Sequence, residues 1–394
     1  MTTTTPVEGP PPEPAPITAP PGLKGVSVAD TRVGDVRGRQ GFYHYRQYSA
    51  TELAARRTLE DVWQLLIDGR LPATSAERAA FAAEIRPLTV LPDAVMAALP
   101  FVAATTTPGS LDGLRSGLSL LGSASGMRPL WDLDASARRT DLMRLAAATP
   151  SVLAALWRAS RGLDPVDPDP ALGHAANYLR MLSGERPEPA LARALEQYLI
   201  VTADHGFNAS TFTARVVAST GADGAAALTA AVGALSGPLH GGAPSRALDS
   251  LDAIATPDRA EAWIRAALER GERIMGFGHP VYLTDDPRSV FLRNVARRLG
   301  GPRVDLAVQV EATVTRLLAE LRPGRPLYAN VEYYAGVVME SCGLDRALFS
   351  ATFSVARVLG WSANVAEQAQ DRKIIRPVAT YVGVEPPVPV PMID

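Results

Sequence analysis

The sequence predicts a predominantly helical protein. From Ala76 to Gly184, apolar residues recur mostly at three- and four-residue steps, the spacing of a buried helix face. The same stretch has no long strand-like alternation of apolar and polar residues. Further on, the alanine-rich segment Gly224–Leu235 and the amphipathic segment Arg303–Leu321 also predict helices. We expect the prolines at positions 87, 92, 100 and 108 to lie between helices.

The first 22 residues predict a disordered tail. They have neither the basic start nor the apolar run of a secretory signal. Five prolines between positions 10 and 16 favour extended chain without a core. We therefore expect removal of this tail to cost little stability.

Short strands or turns and two helices are predicted between positions 26 and 69. Several valines and glycines precede Ser49, where start signals indicate a first helix. A second helix is expected to end at Gly69. Arg46, which precedes these helices, is interpreted as an exposed surface charge.

The composition is that of an ordinary soluble protein. Of the 394 residues, 20% are charged and 47% are hydrophobic. The net charge of −2 argues against a nucleic-acid partner bound through counterion release. No apolar run is long enough to predict a transmembrane helix or a membrane partner. The single cysteine, Cys342, excludes an intrachain disulfide and favours a cytoplasmic location.

The segment Ile274–Gly300 combines three features of a binding site. Gly276-Phe277-Gly278 allows close approach of backbone to a ligand, and His279 follows directly. Asp286 and Pro287 are typical of a helix start, which places Arg288 in the first turn. An arginine at a helix N-terminus suits a carboxylate. The alternative is a surface histidine and an exposed arginine.

Four other polar residues occur in apolar surroundings. Asp204 and His205 are expected within a helix, and His240 on a tight turn between Pro238 and two glycines. Glu332 has apolar and aromatic neighbours, although a glutamate at a helix start also suits the macrodipole alone. The long spacings between His205, His240 and His279 match no zinc motif, so no metal is predicted.

These motifs together resemble the citrate synthase family. GFGH followed by DPR resembles its catalytic loop, and the DH, PLHGG and NVE motifs occur in the family's order. The resemblance extends from about Gly22 to Gly383. It implies an almost wholly α-helical fold, with a large domain (residues 23–242 and 349–394) and a small closing domain (residues 243–348). It also implies a homodimer.

The resemblance implies condensation of acetyl-CoA with oxaloacetate and hydrolysis of the citryl thioester to citrate and CoA, with no permanently bound cofactor. The implied catalytic residues are Glu332 as base, His240 as donor to the enolate and His279 as donor to the ketone. The residues implied to hold oxaloacetate are His205, Arg288, Arg357 and Arg376, the last acting on the partner's site. The residues predicted to contact CoA are those of the glycine loop, Gly276, Phe277 and Gly278, and Arg325, which could substitute for the cation missing at Leu283.

The chain departs from the family pattern at several positions. The base is Glu332 where relatives carry Asp, and Pro244 and Pro280 replace common Asn and Arg. Leu283 stands where relatives place a cation near the CoA phosphates. These departures leave open 2-methylcitrate synthesis from propionyl-CoA, another acyl donor, or a non-catalytic protein that binds a carboxylate.

Overall fold

The computed structural model describes residues 17–240, 244–279, 281–321 and 327–393, with backbone only for residues 244–246. They form two units. One is continuous in sequence, from Thr31 to Lys373. The other consists of the two ends of the chain, residues 17–30 and 374–393, and holds one short 3₁₀ turn at Pro21–Leu23 in otherwise irregular chain.

The unit from Thr31 to Lys373 confirms the predicted helical fold. A small antiparallel sheet near its start pairs Gly34 with Tyr45 and His44 with Ser49. The strands are β1 (Gly34–Arg37), β2 (Phe42–Tyr45) and β3 (Tyr48–Ser49). The α-helices of the described residues are α1 (Ala50–Arg56), α2 (Leu59–Asp68), α3 (Ser75–Ile85), α4 (Asp93–Thr105), α5 (Leu111–Ala124), α6 (Ala135–Ala159), α7 (His174–Ser183), α8 (Pro189–Thr202), α9 (Ala209–Ser219), α10 (Gly224–Leu235), α11 (Pro244–Ile254), α12 (Ala260–Glu269), α13 (Pro287–Leu299), α14 (Pro302–Leu321), α15 (Val331–Ser341) and α16 (Phe349–Gln368).

Side-chain caps explain why several predicted helix boundaries are confirmed. The Ser49 hydroxyl accepts a hydrogen bond from the Glu52 N–H at the start of α1. Helix α2 ends where Gly69 adopts the left-handed conformation. Helix α10 has the predicted bounds, and α14 begins one residue earlier than expected, at Pro302.

Two expectations about individual residues were wrong. Pro100 lies inside α4 rather than between helices. It is exposed, so water can satisfy the carbonyl that its missing N–H leaves unpaired. Arg46 is not a free surface charge: its guanidinium donates to the Leu65 and Leu66 carbonyls at the end of α2 and to the Arg32 carbonyl. Arg46 therefore satisfies carbonyl groups at the C-terminal end of α2.

Helix α16 lies at the centre of this unit and brings a substrate-site candidate into the core. It packs against α2, α6, α8, α9 and α10, and most of its side chains are buried. Gly360 permits close contact with the chain after α8, because a Cβ there would lie 2.3 Å from the Ala203 carbonyl oxygen. The Gly360 N–H donates to that carbonyl at 3.1 Å. Arg357, one turn earlier, is thereby held beside the Asp204–His205 segment.

Both predicted domains contribute helices to the unit from Thr31 to Lys373, and the division between them stays a prediction. Within the described ranges no single helix is long and apolar enough to cross a membrane. A bent pair, Ser75–Thr89 with Asp93–Thr105, meets those criteria by length and composition only.

Candidate active site

A cavity of about 350 Å³ collects most of the polar residues singled out from the sequence. It lies within the unit from Thr31 to Lys373, between the ends of several helices. The predicted site residues that line it are His205, His240, Gly278, His279, Arg288, Glu332 and Arg357. Residues as far apart in sequence as His205 and Arg357 thus surround one space.

His205 lies in the connection between α8 and α9, so its predicted helical position was wrong. Helix α8 ends at Thr202, and the Asp204 carboxylate accepts from the Gly206 N–H at 3.1 Å, which stabilises a turn. Asn208 then caps α9. Apolar residues before Asp204 were taken as evidence for a continuing helix, but the polar turn residues after it decide the local structure.

Arg357 is almost fully buried, yet most of its guanidinium remains available to a ligand. Its Nε–H donates to the Thr202 carbonyl at 2.8 Å, and its Cζ lies 4.4 Å from the centre of the Phe353 ring. These are the contacts of its guanidinium within hydrogen-bonding or stacking distance in the described structure. Burial lowers the pKa of Arg357 to about 10, which still leaves it charged at neutral pH.

Arg288 is fixed by a buried carboxylate. Its Nε–H and Nη2–H donate to the two oxygens of Asp286 at 3.0 and 2.8 Å, and its backbone N–H donates to Asp286 Oδ1. The predicted cap by Asp286 and the start of α13 at Pro287 are confirmed. Asp286 also accepts from the Val331 N–H at 3.1 Å. One carboxylate therefore joins the arginine to the start of α15.

The backbone around His279 selects its tautomer. Its Nδ1 accepts from the N–H groups of Val281 and Tyr282 at 3.0 and 3.1 Å, so the proton of the neutral ring lies on Nε2. Burial, and then Arg288, lower the pKa of His279 to about 4, which keeps the ring neutral. Arg288 Nη2 lies 3.1 Å from Nε2 and is also a donor. A ligand oxygen that accepts from both groups would relieve this contact between donors.

His240 follows α10 and faces Ser210 at the start of α9. Its Nε2 lies 3.2 Å from the Ser210 N–H and 2.8 Å from the Ser210 hydroxyl. Because the backbone N–H can only donate, Nε2 accepts and Nδ1 carries the proton. Burial lowers the pKa of His240. Gly241 and Gly242, which complete the predicted motif, lie outside the described residues.

Glu332 is half-buried in the first turn of α15, among the apolar neighbours that the sequence predicted. Val331 is 8% exposed, Tyr333 2% and Tyr334 0%. Asn330 caps the helix by accepting from the Glu332 N–H at 3.0 Å. The Asn330 amide also donates to the Gly278 carbonyl at 3.0 Å.

The glycine loop is paired with the chain that leads into α15. The Gly278 N–H donates to the Tyr328 carbonyl and the Asn330 N–H to the Gly276 carbonyl, both at 2.8 Å. Gly276 and Gly278 have φ of +83° and +87°, which a residue with a Cβ rarely adopts. A Cβ at Gly276 would also lie 3.0 Å from Tyr333. The glycines therefore hold His279 and Glu332 on neighbouring backbones.

A second cleft, of about 830 Å³, shares Gly278 and His279 with the first cavity. Phe277 and Leu283 line it, and Leu283 is 63% exposed. Arg273, an exposed cation that the sequence did not single out, also lines this cleft. Gly276 immediately precedes Phe277 in the sequence. Arg325 and Pro280 lie outside the described residues, as does the side chain of Pro244.

Arg376 lies beyond α16, in the unit formed by the chain ends, and its side chain is exposed. Its predicted role on a partner's site stays a prediction. Among the described residues, no three histidine, cysteine or acidic side chains are grouped to hold a metal ion.

Sequence reasoning missed the partners of the site residues. Asp286 was recognised as a cap but not as the counter-ion of Arg288, and Ser210 was not linked to His240. Tyr282, whose hydroxyl lies 2.9 Å from His205 Nε2, was not considered. Only its position, three residues after His279, could have drawn attention to it.

Comparisons with known proteins identify the family of the chain. Residues 22–378 match the family described as "Citrate synthase, C-terminal domain". The chain is 38% identical to "Putative citrate synthase 2" of Mycobacterium tuberculosis, over 94% of each chain. It is 39% identical to the 2-methylcitrate synthase of the same species, over 92% of this chain and 90% of that one.

Solved structures give the same result. Citrate synthase from Pyrobaculum aerophilum matches with a TM-score of 0.84 and 33% identity, over 94% of each chain. A ternary complex of Thermoplasma acidophilum citrate synthase with carboxymethyl coenzyme A and oxaloacetate also matches with a TM-score of 0.84. Its identity is 26%, over 94% of this chain and 97% of that one. The fold, the order of the motifs and these matches show that the chain belongs to the citrate synthase family.

Proposed function

We propose that the protein condenses acetyl-CoA with oxaloacetate and hydrolyses the resulting thioester to citrate and CoA. The observation that carries this proposal is the convergence of Glu332, His240 and His279 on one cavity with two buried arginines. A carbon-acid condensation needs a base, a donor for the enolate and a donor for the ketone. The arginines suit the two carboxylates of oxaloacetate.

The first step is proton abstraction. Glu332 removes a proton from the methyl group of the thioester, and the electron pair moves onto the carbonyl oxygen. His240 Nδ1–H donates to that oxygen as its negative charge develops. The backbone of Ser210 keeps Nε2 of the same ring as the acceptor, so the donor faces the substrate without a change of tautomer.

Carbon–carbon bond formation follows. The enolate carbon attacks the ketone carbon of oxaloacetate, and the ketone oxygen takes the proton from His279 Nε2. Arg288 donates beside it, and Arg357 and His205 hold carboxylate oxygens. Water then returns a proton to His279 Nε2 and attacks the thioester carbon as hydroxide. The C–S bond breaks, the CoA thiolate leaves with the proton that Glu332 took from the methyl group, and the new carboxylic acid ionises.

The direct test is release of CoA thiol from acetyl-CoA and oxaloacetate by the purified protein. Propionyl-CoA serves as the second acyl donor, because one methylene changes binding by only about 1–3 kcal/mol. Faster turnover of propionyl-CoA would assign 2-methylcitrate synthesis. If oxaloacetate binds but neither thioester releases CoA, the protein is a ligand-binding member of the family. The composition of the chain favours the cytoplasm for this activity, with citrate passing to the tricarboxylic acid cycle.

The exposed Leu283 provides a test of CoA recognition. We expect Leu283→Arg to lower the KM for acetyl-CoA about fivefold, because a new ion pair with phosphate is charge-assisted. Arg273→Ala should raise this KM, since Arg273 lines the same cleft. Leu163→Arg, which adds the same charge at another exposed leucine, is the control. An unchanged KM in Leu283→Arg would mean that the CoA phosphates lie elsewhere.

We also propose a homodimer in which Arg376 completes the partner's site. Its exposure in the chain-end unit and the two carboxylates of oxaloacetate support this proposal. Inactive His279→Ala and Arg376→Ala chains should regain activity when unfolded and reassembled together. About half the dimers are then mixed, each with one intact site, so about a quarter of wild-type activity returns.

The control for this experiment pairs His279→Ala with Glu332→Gln. Both residues line the cavity of one chain, so no site in a mixed dimer is intact and no activity should return. If the Arg376 mixture also stays inactive while mixed dimers are shown to form, Arg376 acts within its own chain.

A further inference from the structure

Tyr282 lines the larger cleft and contacts three residues that line the smaller cavity. It is 4% exposed and lines the larger cleft next to His279. Its ring centre lies 4.8 Å from that of His279 and 5.6 Å from that of His205. The Arg288 guanidinium lies 5.7 Å from the same ring. Tyr282 thus contacts three of the candidate oxaloacetate residues.

The hydroxyl of Tyr282 determines the hydrogen bonding of His205. Its oxygen lies 2.9 Å from His205 Nε2, its single hydrogen-bond partner in the described part of the chain. Burial raises the pKa of Tyr282, so the phenol keeps its proton. Burial, with Arg288 and Arg357, lowers the pKa of His205 well below its usual value, so the ring is neutral.

A neutral imidazole has one N–H, and only one arrangement satisfies both groups. If Nε2 carried the proton, the buried phenol proton would have no acceptor among the described residues, and buried donors are rarely left unpaired. If the phenol donates to Nε2, the imidazole proton lies on Nδ1. No described residue hydrogen-bonds to His205 Nδ1, so this N–H is available to a ligand.

We propose that Tyr282 is a positioning residue that fixes His205 as the Nδ1–H tautomer and so prepares it to donate to oxaloacetate. This role rests on the proposed function, because it assigns a donor for that substrate. Tyr282 does not touch the reacting atoms; it acts through the ring of His205.

The test begins with the tautomer in the wild-type protein. Long-range ¹H–¹⁵N correlation of protein labelled at its five histidines distinguishes the two tautomers, and loss of a signal in His205→Gln assigns His205. We expect a protonated Nδ1 and a bare Nε2, and both tautomers in Tyr282→Phe. A protonated Nε2 in the wild-type protein would overturn the proposal, whether or not the enzyme is active.

Kinetics supply the second measurement. Tyr282→Phe keeps the ring packing and should raise the KM for oxaloacetate about tenfold, with the acetyl-CoA KM and kcat changed less than about twofold. The control is Tyr178→Phe, which loses a buried hydroxyl bonded to Thr352 at 2.8 Å outside the cavity. An unchanged oxaloacetate KM in Tyr282→Phe would refute the positioning role. Absence of CoA release from the wild-type protein would instead refute the proposed function, and the tautomer would still report on the His205–Tyr282 contact.

Discussion

Glu332→Gln is expected to lower kcat by about 10²-fold or more, because the amide keeps the shape of the side chain but cannot take the proton. Substrate binding should change little, since the substitution preserves size and the cap by Asn330 uses only backbone of residue 332. The measurement is CoA release at saturating acetyl-CoA and oxaloacetate, together with both KM values.

Two variants make this test specific. Glu320→Gln makes the same change at an exposed position on α14, away from the cavity, and should retain full turnover. Glu332→Asp retains a base but leaves it about 1 Å short, and we expect a kcat between those of the wild type and the Gln variant. Near-normal turnover in Glu332→Gln would remove this residue from the role of base.

Asp286→Ala is expected to lower the free energy of unfolding by about 3–5 kcal/mol, because it leaves the buried Arg288 charge without a partner. Both side chains of this pair are nearly inaccessible, at 4% and 1% exposure. The substitution also removes the acceptor of the Val331 N–H and the cap of α13. Urea denaturation measures the loss.

The neighbouring residue provides a matched control. Asp285 is exposed, and Asp285→Ala should change stability by no more than about 0.5 kcal/mol. The double variant Asp286→Ala/Arg288→Met removes both charges and should be more stable than Asp286→Ala alone. Equal stability of the two Asp→Ala variants would show that the buried ion pair contributes little.

Local signals in the sequence predicted the helical fold and several helix boundaries, and the family resemblance supplied the candidate site residues. The caps at Ser49 and Asp286, the alanine-rich composition of α10 and the apolar period of α14 are local signals, so they are visible without the fold. Six of the residues that the family resemblance implied line one cavity: His205, His240, His279, Arg288, Glu332 and Arg357.

The partners of these residues depend on tertiary structure and could not be predicted. Ser210 meets His240 across 30 positions, and Tyr282 meets His205 across 77. The bonds of Arg46 to the end of α2 likewise join residues about 20 positions apart. The wrong helical prediction for His205 has a different cause. Apolar residues up to the end of α8 suggested that the helix continues, but the polar side chains that follow form a turn.

The pairing of Gly276–Gly278 with Tyr328–Asn330 has a consequence for engineering. These two short segments hydrogen-bond to each other like strands. Asp286 adds a second link between the chain that follows each of them, because its carboxylate accepts from Arg288 and from the Val331 N–H. His279 and Glu332, the proposed proton donor and base, therefore follow two segments that are hydrogen-bonded to each other. A chimera that exchanges residues 276–288 with those of another family member should work best when residues 328–332 are taken from the same donor protein.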